Sequence, residues 1–205
     1  MKDYQAQDIR NFAIVGHGGS GKTILSEAML VNGGVINRIG SVESGNTVSD
    51  YHPGEKSRQI SIHSTPLFVE WDNKKFNFID APGYLDFIGE ALGAISVADM
   101  AMVVIHAVAG VEVGTEQVWE HATRFGIPKL IVVNGLDREH TKFDEILSTV
   151  KDRFGKNVFP MHLPINSGPG FNQVLDVLRK EIEQKTSLGN KIKDTIDKGG
   201  LISDE

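Results

Sequence analysis

The chain has 205 residues, 40% hydrophobic and 23% charged, which suits one soluble domain with a sizeable core. Its net charge of −6 excludes a general basic patch for nucleic acid, and the lack of cysteine excludes disulfides, thiolate zinc sites and thiol nucleophiles together. The charged start MKDYQAQDIRNF, with no later run long enough to span a bilayer, leads us to expect a cytoplasmic protein without a membrane partner.

The first predicted strand is Phe12–Val15. Gly16-His17-Gly18-Gly19-Ser20-Gly21-Lys22-Thr23 follows, and then the helical ILSEAMLVNGG. This matches G-x-x-x-x-G-K-[ST] between a strand and a helix. Glycines let the backbone curl until successive N–H groups converge on phosphates, and the helix adds its positive N-terminal end. Lys22 supplies a point charge for the outer phosphates, and the Thr23 hydroxyl can bind Mg²⁺. A plain glycine-rich turn is the bland alternative; Lys22 and Thr23 at their positions weigh against it.

Residues 34–62 are polar and irregular, and a loop of that length is usually functional or mobile. Strands follow at Leu67–Trp71 and Phe76–Ile79, the second running into Asp80-Ala81-Pro82-Gly83. An acidic residue at a strand end facing the cradle can hold Mg²⁺ through water, and the Gly83 N–H can reach a γ-phosphate. Met100–Ile105 and Leu130–Val133 are continuously apolar, as central parallel strands covered on both faces would be. EQVWEHATRFGIP between them predicts a helix ended by Gly126 and Pro128. Asn134 and Asp137, in LIVVNGLD, are spaced so that the aspartate can accept two hydrogen bonds from guanine; alone, N-x-x-D is also an ordinary turn.

Phe143, Ile146, Leu147, Val150 and Phe154 predict a helix with Gly155 as its cap, and Val158–Leu163 a further strand. Phe171, Val174, Leu175, Leu178 and Ile182 repeat the helical spacing through FNQVLDVLRKEIEQ, and Leu188, Ile192 and Ile196 give a similar stripe. Alternation of strands and helices predicts an α/β doubly wound sheet with its ligand at the carboxyl ends of the strands.

Taken in order, these motifs resemble the GTPase domain of translation elongation factor G, most closely its second type, over about residues 11–177. The phrases TVSDYHPGEKSRQISI, VEWDNKKFNFIDAPGYLDFIGEA, AVAGVEVGTEQVWEHA and VFPMHLPI carry the likeness beyond the motifs. The resemblance implies a P-loop NTPase fold with a mostly parallel sheet, bound GTP or GDP with Mg²⁺, hydrolysis of GTP, and the ribosome as partner. It assigns Gly16 to Thr23 to the phosphates and metal, and Ser61 to the place where a threonine usually meets the metal. Asp80 and Gly83 fall in the second switch, and Asn134 and Asp137 at the guanine. Lys22, Gly83 and Tyr84 become the candidates for catalysis.

There are departures. Tyr84 replaces a water-orienting histidine and is uncharged near neutral pH, so slow hydrolysis is expected. Gly135 stands where lysine would cover the base, and Gly19 where many translational GTPases carry an acidic residue. A closing Ser-Ala loop is absent, leaving Ser167-Gly168 as its substitute. Arg179 to Glu205 instead resembles the AMP-binding segment of adenylate kinases, with Arg179 toward an AMP phosphate and Gly200 to Ile202 near adenine. Two units are therefore expected, a GTP-binding domain at 1–177 and a helical tail at 178–205. Two rival functions stay open: a nucleotide-binding module without turnover, and a nucleotide monophosphate kinase.

Overall fold

The computed structural model describes residues 2–179, 181–185 and 191–195. Arg179 is therefore described; Leu188, Ile196 and the Gly200 to Ile202 segment lie outside the described residues. The chain divides into two compact units, Met1–His106 with Glu112–Asn134, and Ala107–Val111 with Gly135–Glu205.

The first unit is built on a five-stranded sheet of β1 (Ile9–Val15), β2 (Thr65–Trp71), β3 (Lys74–Asp80), β4 (Met100–His106) and β5 (Lys129–Asn134). Its order is β2-β3-β1-β4-β5; β2 and β3 form an antiparallel hairpin, and every other pairing is parallel. The helices are α1 (Lys22–Asn32), α2 (Pro53–Arg58), α3 (Ile88–Val97) and α4 (Val113–Arg124).

Pleating explains why the run FAIV is apolar at every position. Ala13 and Val15 face one side, where they join Ala91, Ala94 and Ile95 of α3 and Val118 and Ala122 of α4. Phe12 and Ile14 face the other, with Leu30 of α1, Val69, Phe78 and Val104. Phe12 and Phe78 are register partners whose rings stack at 5.5 Å between centroids. Phe78 is 1% exposed, so truncation to alanine would cost about 3–5 kcal/mol. This two-sided burial fixes the carboxyl ends of β1, β3 and β4 at one edge, where the phosphate loop and Asp80 emerge.

Several expectations change. β5 is an edge strand rather than a central one, and all its residues are half-buried. Within Val158–Leu163 only the last two residues are strand, in β6 (His162–Pro164), which belongs to a different sheet. That second unit holds α5 (Phe143–Phe154) and an antiparallel sheet of β6, β7 (Gln173–Asp176), β8 (Glu181–Lys185) and β9 (Lys191–Thr195). The helix expected through 171–184 is thus two strands. Asp176 is the local cause: its carboxylate accepts the Leu178 and Arg179 N–H groups, both at 3.0 Å, and so reverses the chain after β7. Ile192, expected on a helical stripe, lies in β9. No helix among the described residues is long and apolar enough to cross a membrane.

Candidate nucleotide-binding site

β1 ends in the core, and the chain turns through Gly16 to Gly21 before α1 starts. Gly21 caps the helix at φ 89°, a left-handed conformation, and any side chain there would run into the Asn134 amide. Asn134 in turn donates from Nδ2 to the Ser20 carbonyl at 3.0 Å, so the end of β5 braces the loop. Lys22 is 6% exposed and its Nζ donates to the carbonyls of Gly16 (3.1 Å) and His17 (2.8 Å). Burial lowers its pKa to about 8, with Asp80, Asp50 and Glu112 pulling back upward.

Beside Lys22 lies a cluster of oxygens. The Thr23 and Ser61 hydroxyls are 3.3 Å apart. Asp80 is 3% exposed, neither of its carboxylate oxygens has a hydrogen-bond partner, and burial raises its pKa to about 6. The Lys22 charge acts on it in the opposite direction without offsetting the burial. Asp50 is 2% exposed, has one unpartnered oxygen and is likewise raised by burial; the Ser49 hydroxyl is unpartnered too. Buried carboxylates without partners are costly. Together with two facing hydroxyls they suit a hard, oxygen-preferring cation. No cage of three or more His, Cys, Asp or Glu occurs among the described residues, so the cluster would need oxygens from a ligand or water as well.

The 34–62 segment that delivers Ser61 and Asp50 is held by two buried glutamates. Glu27 of α1, 1% exposed, accepts the N–H groups of Gly40 (2.8 Å) and Val48 (2.6 Å). Glu55, equally buried, accepts those of His52 (3.1 Å), Ile62 and His63 (both 3.0 Å). The segment is less irregular than its composition suggests, because Pro53 at the first position and the reciprocal His52–Glu55 cap start the short α2. Gln59, at φ 56°, ends it and turns the chain back past Glu55.

From the other side comes the loop after β3. A Cβ on Gly83 would lie 2.7 Å from both the Gly16 carbonyl oxygen and the Gly18 nitrogen, and would also strike Lys22 Nζ. Only glycine allows that approach. Tyr84 is 45% exposed, and its ring lies over Gly18, three ring carbons being 3.2–3.3 Å from where a Cβ would sit. Gly19, at φ 77°, has open space where a side chain would be. His17 does not stand free in the cradle. Its Nδ1 accepts the Gly114 N–H at 3.2 Å and its Nε2 lies 3.4 Å from Glu112, which ties the loop to the start of α4.

Asp137 and Ser167 belong to the second unit. There the Gly168 N–H donates to the Leu136 carbonyl at 2.7 Å, which sets the Ser167 loop beside the Asp137 turn, both residues being exposed. Gly135 opens that turn at φ 80°. Arg179 Nε lies 3.8 Å from Asp176, in the turn after β7.

Asp50, Ser49, Glu27 and Glu55 are site residues that sequence reasoning missed. Each sits in a polar stretch where a carboxylate or hydroxyl reads as solvated, and only the fold buries it. A glutamate three residues after His52 and two after Pro53 was the one signal, that of a capping box.

The family model "Elongation factor Tu GTP binding domain" matches residues 7–195. A protein of Debaryomyces hansenii named mitochondrial ribosome-releasing factor 2 is 38% identical over 186 residues, 88% of this chain and 22% of its own. Elongation factor G of Mycoplasma pneumoniae is 37% identical over 175 residues, 85% of this chain and 25% of its own. A crystal structure from Thermus thermophilus superposes with a TM-score of 0.86 at 35% identity, over 93% of this chain and 28% of that one. The chain thus spans about a quarter of the length of the curated relatives it matches. A phosphate cradle and its two flanking loops, on a mostly parallel α/β sheet, are what such a match requires, and the chain belongs to the elongation factor Tu GTP-binding domain family.

Proposed function

We propose that the chain binds GTP and GDP with Mg²⁺ and hydrolyses GTP to GDP and phosphate, slowly without a partner. The observation that carries this reading is the convergence of Lys22, the facing Thr23 and Ser61 hydroxyls and the unpartnered Asp80 carboxylate at the mouth of the phosphate loop. Residues 16–23 would hold the phosphates, Thr23 and Ser61 the metal directly, and Asp80 the metal through water. Bound Mg²⁺ would neutralise charge on the β- and γ-phosphate oxygens. Lys22 would stabilise the same charge, and the Gly83 N–H would donate a hydrogen bond to a γ-phosphate oxygen. Asn134, Asp137 and Ser167 are the proposed contacts to the base. Tyr84 or a partner would orient the water. The ribosome is the proposed partner and the cytoplasm the proposed compartment; the Debaryomyces relative is named as mitochondrial. Residues 1–177 remain the proposed GTP-binding domain, with 178–205 an appended tail.

A fluorescent GDP titration, competed by GTP, ATP and AMP with Mg²⁺ present, tests the assignment. Guanine should win over adenine by about tenfold or more, as a contact of two hydrogen bonds to the base requires. Equal competition by adenine nucleotides would remove the guanine site and favour the kinase reading of the Arg179 tail. A second reading, nucleotide held without turnover, draws on the Tyr84 ring lying over Gly18. It requires single-turnover hydrolysis no faster than that of Lys22→Ala.

A further inference from the structure

We propose that Glu55 is a positioning residue that aims the Ser61 hydroxyl at Thr23, and so sets how strongly Mg²⁺ supports binding of the triphosphate. The inference deepens the Mg²⁺–GTP reading above and rests on it.

Ser61 has no regular element of its own; it sits on a loop between α2 and β2. Its backbone position is imposed instead by the carboxylate of Glu55. One oxygen, Oε1, takes both the Ile62 and the His63 N–H at 3.0 Å, the two amides immediately after Ser61. The other, Oε2, takes the His52 N–H at 3.1 Å, on the incoming side of α2. The Ile60 N–H donates to the Glu55 carbonyl at 3.3 Å, so one residue holds the chain both before and after Ser61. At 1% exposure the carboxylate is shut off from water, which strengthens these bonds and leaves no solvent substitute when they are lost. The same residue also ends the path from Asp50: the two are five positions apart, on either side of the His52 cap.

Glu55 touches neither nucleotide nor metal in this scheme. Its effect passes through the Ser61 hydroxyl, 3.3 Å from Thr23 Oγ1. In GTPases the first switch is ordered by the γ-phosphate and its metal and released afterwards. Loss of Glu55 should therefore penalise the triphosphate complex with Mg²⁺ and leave the diphosphate complex nearly alone.

The experiment is equilibrium binding of a non-hydrolysable GTP analogue and of GDP to the full chain, each in Mg²⁺ and in EDTA. Wild type, Glu55→Ala, Glu55→Gln, Ser61→Ala and the Glu55→Ala/Ser61→Ala double variant are compared, with Lys22→Ala as control. Glu55→Ala should lose about tenfold in analogue affinity in Mg²⁺, as expected for loss of charge-assisted bonds, and no more than about twofold for GDP. Glu55→Gln, which keeps one acceptor oxygen, should lose less. In the Ser61→Ala background, removing Glu55 should change Mg²⁺ dependence by less than about twofold, because a residue acting through another is silent once that one is gone. Amide exchange at Ile62 and His63 should quicken in Glu55→Ala. Equal losses for GDP and analogue, or full additivity with Ser61→Ala, would overturn the proposal by showing a merely structural role. Should Glu55→Ala not fold, the Glu55→Gln comparison decides by the same criteria. Wild-type protein that binds no nucleotide, or binds as well with Lys22→Ala, would bring down the functional reading and this proposal with it. Wild type with normal Mg²⁺-dependent binding and an unchanged Glu55→Ala brings down this proposal alone.

Discussion

Replacing Asp80 with asparagine should stabilise the protein when nucleotide and metal are removed, while abolishing metal-dependent binding. The carboxylate is 3% exposed, its oxygens have no hydrogen-bond partner, and burial raises its pKa from the ordinary 3.8 to about 6. Between those values the folded state keeps a proton that the unfolded state has released. Stability therefore falls as pH rises through that window, and the deficit is complete above the folded pKa. A shift of about two units, at ~1.4 kcal/mol each, bounds the deficit near 3 kcal/mol. That shift is already net of the Lys22 attraction, so a gain of up to about 3 kcal/mol is expected above the folded pKa. Urea unfolding in EDTA, run from about pH 4 to about pH 7.5, isolates the group as the difference between the two proteins. That difference should be near zero at the acid end and grow toward neutrality. A variant less stable than wild type at neutral pH, or a difference independent of pH, would refute the reasoning.

Gly83→Ala should lower affinity for a GTP analogue by about tenfold or more relative to GDP, measured by competition, since an added Cβ within 2.7 Å of two backbone atoms must push the loop off the cradle. Gln59→Gly should raise thermal stability by a few tenths of a kcal/mol: relief of the left-handed strain, about 1 kcal/mol, is partly cancelled by glycine's extra freedom when unfolded. A loss of stability would mean that the Gln59 side chain contributes more than its backbone costs. Tyr84→His should raise single-turnover GTP hydrolysis by about tenfold or more, because imidazole can accept a proton from water near neutral pH, whereas a phenol can only orient it by hydrogen bonding. An unchanged rate would place the slow step elsewhere.

The sheet was legible because its central strands β1 and β4 are buried on both faces. Phe12 to Val15 are apolar throughout, and Ala13 and Ile14 serve different cores. The cradle was legible because Gly16, Gly21, Lys22 and Thr23 each answer a separate local demand, so their spacing survives without knowledge of the rest. Residues 171–184 were not. Val174, Leu175 and Ile182 satisfy a helical period, yet Leu175 and Ile182 are register partners across an antiparallel pair. A few apolar residues per segment fit both periods, and the Asp176 turn decided between them. The buried anions escaped for a different reason. Glu27, Asp50 and Glu55 look like solvated charges until a folded loop closes over them, and no periodicity marks a residue such as Glu27, whose partners are backbone N–H groups 13 and 21 positions along the chain.

Those anions also explain why the site should respond to its ligand. Lys22 and Asp80 are both driven toward their neutral forms by burial, and Asp50 with them. A phosphate beside Lys22 and a cation beside Asp80 would each favour the charged form, so binding relieves a cost of burial built into the fold. The loop that carries Asp50 and Ser61 is poised to register that relief. Glu27 and Glu55 hold it by backbone hydrogen bonds, while Val35, Ile39, Val48 and Tyr51 stay exposed rather than packed. Such a segment opens at lower free energy than the β1 core, since few apolar contacts resist its release. Ligand-dependent order is then expected of residues 34–62 and not of the sheet. Amide exchange with and without Mg²⁺ and a GTP analogue should slow at residues 40, 48, 62 and 63 while Phe12 to Val15 stay protected throughout; uniform slowing across both regions would instead mean that ligand stabilises the unit as a whole.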